Sequence, residues 1–195
     1  MKVDGNIKLK EHSLNLVKLV ASTSIWASPI IVKKLQEEPG NENASWYSNA
    51  RRWVAKTEIK KSFVNGVFID TNTKANNAIK AALGFGSLRP KNYTACHIYE
   101  GSVKYCEYYT AIPNIILVPS PLYAITDHLD ECKAFLKYYS YYKYGFRIKK
   151  VVPHKPDFFD KVKELVSENN DQRRIDTALK SIQKRKSTIE AIQPR

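Results

Sequence analysis

Leu122, Ile125, Leu129, Cys132 and Leu136 recur at spacings of 3, 4, 3 and 4. That spacing places all five on one face of a long helix, and a helix with one apolar face must bury it against another layer. The helix has a marked start, because Pro119-Ser120-Pro121 punctuates the chain and Pro121 suits a first helical turn. It runs into the aromatic stretch 138–146 and ends near Gly145. Just upstream, Asn114–Val118 (NIILV) is a short continuous apolar run of strand type. Asn92–Tyr99 alternates roughly apolar and polar and reads as another strand, joined to the first by a loop over 100–113. Residues 93–146 therefore predict strand, strand, helix within an α+β protein.

The flanks are less ordered in pattern. Leu14, Val17, Val20 and Ser24 fall at helical spacing, and Pro29 is expected to end that helix. Residues 36–50 are polar and turn-rich, Val64–Ile69 is β-like, and Asn72–Leu83 reads as a helix closed by Gly84 or Gly86. Residues 147–195 suggest one or two basic amphipathic helices. The natural division is 1–92 as an N-terminal helical and basic region, 93–146 as the central unit, and 147–195 as C-terminal helices.

Composition narrows the function classes. Hydrophobic residues make up 43% and aromatics 11% of 195 residues, which suffices for a core and excludes a disordered chain. No stretch of 18 apolar residues exists, so no membrane span is expected. Cys96, Cys106 and Cys132 make an odd count without CxxC spacing, which points to reduced thiols and a cytoplasmic setting. The net charge of +13 favours a polyanionic partner, nucleic acid above all. Arg51, Arg52, Lys56, Lys60, Lys61, Lys184, Arg185 and Lys186 are the candidate phosphate contacts, although charge runs are often only solvated faces. The tyrosines of 138–146 could stack on bases, but six aromatics in nine residues cover every side of a helix, so about half must enter the core.

Two of only four histidines, His97 and His128, lie in the central unit. There, ACHIYEG (95–101), PNIILVPSPL (113–122) and ITDH (125–128) stand in an order that resembles the ββα-metal motif of HNH endonucleases, small bacterial restriction-type proteins among them. The resemblance covers residues 93–146. It implies a ββα-metal core flanked by helices and a metal-dependent DNA endonuclease with a restriction or defence role. It makes His97 the general base, a task that suits an imidazole because its ordinary pKa lies near neutrality. Asn114 would brace the loop or the histidine. His128 would ligate the metal, or its neighbour Asp127 if the helix register differs. The family's second ligand position, just before the base, holds Cys96 here; Asp127 or Glu100 would then supply a carboxylate. Mg²⁺ or Mn²⁺ is the expected cation, with Zn²⁺ the softer alternative if Cys96 ligates as thiolate. One such site cuts one strand, so a double-strand break needs a homodimer or two successive events. The competing expectations are a nucleic-acid-binding protein without catalysis, and a nuclease directed at RNA.

Overall fold

Helices open the chain in the computed structural model, which describes residues 5–53, 63–86, 90–167 and 171–192. They are α1 (Gly5–Lys10), α2 (Ser13–Thr23) and α3 (Pro29–Gln36). Pro29 begins a helix rather than only ending one. Ser28 is extended and its Oγ accepts from the Ile30 N–H at 3.3 Å, while Pro29 occupies a first-turn position whose missing N–H has no helical acceptor anyway.

A small sheet follows, built from β1 (Ala50–Arg52), β2 (Phe63–Val64) and β3 (Val67–Asp70). Its order is β1-β3-β2, with β1 parallel and β2 antiparallel to β3. The β-like run near Val64 is thus a hairpin. Asn65 and Gly66 both have positive φ, 49° and 77°, the backbone that a two-residue turn between right-twisted strands demands. The helix α4 (Thr73–Ala82) comes next, and Gly84 (φ 68°) closes it. A Cβ on Gly84 would lie 1.9 Å from the Arg174 carbonyl oxygen, so only glycine lets the last helix approach here.

The central pair is β4 (Tyr93–His97) and β5 (Ile115–Pro119), antiparallel, with His97 opposite Ile115. The connection holds the short helix α5 (Cys106–Tyr109). Ile25 bridges the other side of β5 at Leu117. This explains why NIILV is apolar throughout. Ile115 and Leu117 enter one core with Ile31, Leu35, Ile79 and Ile182, while Ile116 and Val118 enter another with Val17, Val20, Phe135 and Phe159. A strand buried on both faces has no polar side to show.

Beyond β5 the single expected helix is two. α6 (Tyr123–His128) and α7 (Asp130–Tyr144) meet at Leu129, which is extended (φ −100°, ψ 113°) and buried. The acidic pair Asp130 and Glu131 falls in the first turn of α7, where the helix dipole favours it. Of the aromatic run, Tyr139 and Phe146 are buried and Tyr142 is exposed. Trp26 and Tyr139 lie 4.7 Å apart between ring centroids, and Tyr138 meets Phe159 edge-on at 4.6 Å, so packing claims most of these rings. α8 (Phe159–Val162) and α9 (Gln172–Ile192) complete the chain.

The protein is a mixed α+β structure. Its three expected segments do not each own a core: one core combines residues of α3, α4, β5 and α9, the other those of α2, β4, β5, α7 and α8. Among the described residues no helix is long and apolar enough to cross a membrane.

Candidate functional site

A cleft of about 350 Å³ opens where the small sheet, the end of β4, the following loop and α6 converge. Arg52 and Asn72 reach it from the sheet side, His97 from β4, Glu100 and Gly101 from the loop, and Tyr123 and Asp127 from α6.

His97 is half-buried, and its Nε2 lies 2.9 Å from the Tyr109 carbonyl oxygen. A carbonyl only accepts, so Nε2 carries the ring proton and the lone pair is left on Nδ1. The ring also stacks on Tyr109, with centroids 5.7 Å apart and planes at 17°. Burial lowers the pKa of this imidazole below its ordinary value and the Arg52 charge adds to that, against the opposing Tyr109 carbonyl and Asp127. At neutral pH His97 is therefore a neutral, oriented proton acceptor.

Tyr109 is held in turn. It is wholly buried, and its hydroxyl donates to Asp70 Oδ2 at 2.6 Å. Burial and the Asp70 carboxylate push that phenol far above its ordinary value. Asp70 is itself buried, and the same Oδ2 accepts the Lys74 N–H at 2.7 Å and the Asn72 N–H at 3.2 Å. Register places Asp70 opposite Arg52, and the Asp70 carbonyl accepts from the Trp53 N–H.

Asn114, with no exposed surface, fastens the loop over which the cleft forms. Its Oδ1 accepts the Tyr99 N–H at 3.1 Å, and its Nδ2 donates to Ser102 Oγ at 2.9 Å and to the Tyr108 carbonyl at 3.0 Å. These bonds go to the loop and not to the His97 ring.

On α6 the cleft-facing residue is Asp127, while His128 is exposed on another side. Adjacent helical residues point about 100° apart, so one residue of register decides the matter. The neighbouring Asp127 carboxylate raises the Tyr123 pKa.

Cys96 lines the cleft between Ala95 and His97. It is buried among Val118, Leu129 and Cys132, its Sγ lies 3.7 Å from the Thr94 carbonyl, and burial pushes the thiol up to about 12. Glu100 sits at the exposed rim, where Lys133 Nζ lies 2.7 Å away and holds its carboxyl below the ordinary range. Among the described residues no three His, Cys, Asp or Glu gather into a metal-holding group. Asp127, with Glu100 at the rim, fits a hard cation of the Mg²⁺ or Mn²⁺ kind, which binds through one or two carboxylates and completes its shell with water and phosphate oxygens.

The expected phosphate contacts separate. Arg52 lines the cleft, Arg51 beside it is half-buried, and Lys184 is exposed on α9. Lys56, Lys60 and Lys61 lie outside the described residues, as does the side chain of Lys186. Arg185 is not a free surface cation. It turns inward, bonds both carboxylate oxygens of Glu38 and the Trp46 carbonyl, and lies 5.5 Å from the centre of the Trp46 ring.

Four residues of the site have no individual sequence signal: Asp70, Asn72, Tyr109 and Tyr123. Asp70 ends β3 and Thr71-Asn72 bend into α4, but nothing local marks this junction as part of a cleft. Compared with family models, curated proteins and solved structures, the chain matches none.

Proposed function

We propose that this cleft hydrolyses phosphodiester bonds of DNA as a metal-dependent endonuclease of HNH type, with β4, β5 and α6 as its ββα-metal core. One observation carries the reading: His97 presents a neutral, backbone-anchored imidazole to a cleft that also holds a carboxylate, Asp127, and a guanidinium, Arg52. In this reading His97 Nδ1 takes the proton of the attacking water. Arg52 offsets charge on the non-bridging phosphate oxygens. Asp127, beside Tyr123 on the same cleft wall, holds the divalent cation. When bound, that cation supplies Lewis-acid stabilisation of the charge that develops on phosphate and leaving oxygen. Asn114 and Tyr109 act as positioning residues, for the loop and for the imidazole respectively. The cytoplasmic setting and the restriction or defence role come with the reading, as does a second copy or a second event for double-strand breaks.

Plasmid DNA incubated with Mg²⁺ or Mn²⁺, and with EDTA as control, tests the reading, followed by mapping of the ends. Cation-dependent nicking that vanishes in His97→Ala is the expected result. Cleavage at near wild-type rate in that variant would remove His97 as base. A second reading, nucleic-acid binding without catalysis, is favoured by the single carboxylate deep in the cleft. Salt-sensitive binding with no cleavage of DNA or RNA under any cation would establish it.

A further inference from the structure

We infer that Asp70, on the small sheet and outside the strand–strand–helix unit, is the positioning residue that sets the orientation of His97 through Tyr109. It rests on the reading of the cleft as a nuclease site. The path is short and fully bonded. Asp70 Oδ2 takes the Tyr109 hydroxyl at 2.6 Å, and the Tyr109 carbonyl takes His97 Nε2 at 2.9 Å. The phenol ring between them stacks against the imidazole, so residue 109 holds His97 by an edge and by a face. Asp70 has little freedom of its own. It is 2% exposed, it belongs to a strand, and the Asn72 and Lys74 N–H groups grip the same oxygen.

The connection from β4 to β5 needs such an anchor. Asn114 fastens it at residues 99, 102 and 108. Thr110 adds a bond to the Tyr47 carbonyl. Neither reaches the His97 ring. Among the described residues the side chain of Tyr109 is what links the His97 acceptor to the Asp70 carboxylate. The same carboxylate bonds the backbone of Asn72, and its strand register sets Arg52, so three cleft residues share one support. Without the Tyr109–Asp70 bond the Tyr109 carbonyl keeps only the backbone bonds on either side of it, and the acceptor that selects the tautomer of His97 is held less firmly.

Two conservative variants test this, Tyr109→Phe and Asp70→Asn. Tyr109→Phe keeps the ring stack and the carbonyl and removes only the hydroxyl. Nitrogen-15 spectra of the full-length protein at mildly alkaline pH report which ring nitrogen of His97 carries the proton, without reference to activity. The wild type should show one tautomer, protonated at Nε2, and each variant a mixture of both. In plasmid nicking each variant should lower kcat by about ten-fold or more with KM changed by less than about three-fold, the mark of lost orientation rather than lost binding. The double variant should be no worse than the poorer single one, because both break the same bond. A single Nε2-protonated tautomer retained in Tyr109→Phe overturns the inference, whatever kcat does. If Asp70→Asn does not fold, Tyr109→Phe decides. If the wild type cuts nothing, the nuclease reading falls, and the spectra still decide what holds His97.

Discussion

Two arginines mark two regions of this molecule that look alike in sequence. Arg52 follows another arginine and Arg185 stands between two lysines, so both read as phosphate contacts. In the fold Arg52 opens onto the cleft beside His97, while Arg185 is closed against Glu38 and the Trp46 ring. The side chains of Arg185 and Glu38 are only 9% and 14% exposed. The difference shows that a cation's use depends on what lies across from it. Arg185 meets a carboxylate, two backbone carbonyls and an indole, and so joins α9 to the loop after α3. Arg52 meets an imidazole whose pKa it lowers, and so adds positive charge to the cleft wall.

Variants at the two regions should behave oppositely. The largest effect belongs to the cleft: His97→Ala should cost about a thousand-fold in nicking rate with DNA affinity retained, within the range of a lost general base. Asp127→Asn comes next, with about a hundred-fold loss of cation-dependent cleavage, the upper range even for an outer-shell metal partner, and with His128→Ala near wild type. Metal titration of the nicking rate distinguishes the two, and an intact rate in Asp127→Asn would return the ligand to His128. The Arg185 region should answer in stability instead. Arg185→Ala takes away the cation that buried Glu38 faces and should cost about 3 kcal/mol in urea unfolding, with DNA affinity unchanged. Arg52→Ala should do the reverse: stability within about 0.5 kcal/mol, weaker DNA binding, and a salt slope reduced by about 1.

The pH dependence belongs to the cleft. The folded pKa of His97 is lowered, so its protonated form is disfavoured in the native state. Its contribution to stability is therefore present above the unfolded imidazole value of about 6.5 and is lost as pH falls through the folded value. In the proposed reaction the neutral ring is the base, so the acid limb of the nicking rate should lie below that ordinary value. A limb above it would contradict the burial of this ring.

Much of the frame was legible from periodicity. NIILV, the strand before it and the apolar spacing of α2 and α4 appear where the residues put them. The break at Leu129 was not legible, because the apolar spacing runs through it unbroken from Leu122 to Leu136. That break matters to the site, since α6 carries Asp127 to the cleft and leaves His128 outside it. Pro29 misled for a related reason, since proline both ends a helical pattern and suits the start of the next. His97 stood out as one of four histidines. Tyr109 did not stand out among twelve tyrosines, and its role depends on an Asp 39 residues away.

By itself the sequence determined the mixed α+β class, the strand order within 93–146 and the types of side chain available for chemistry. These follow from local periodicity and from rare residues, which act over a few positions along the chain. Only the tertiary structure decided which of those side chains share a cleft. It put Cys96 on the wall between core and cleft, turned Arg185 into an internal tie and joined Asp70 to Tyr109. Desolvation and partner geometry govern each of these outcomes, and both arise from residues that are distant in the chain and adjacent in the fold.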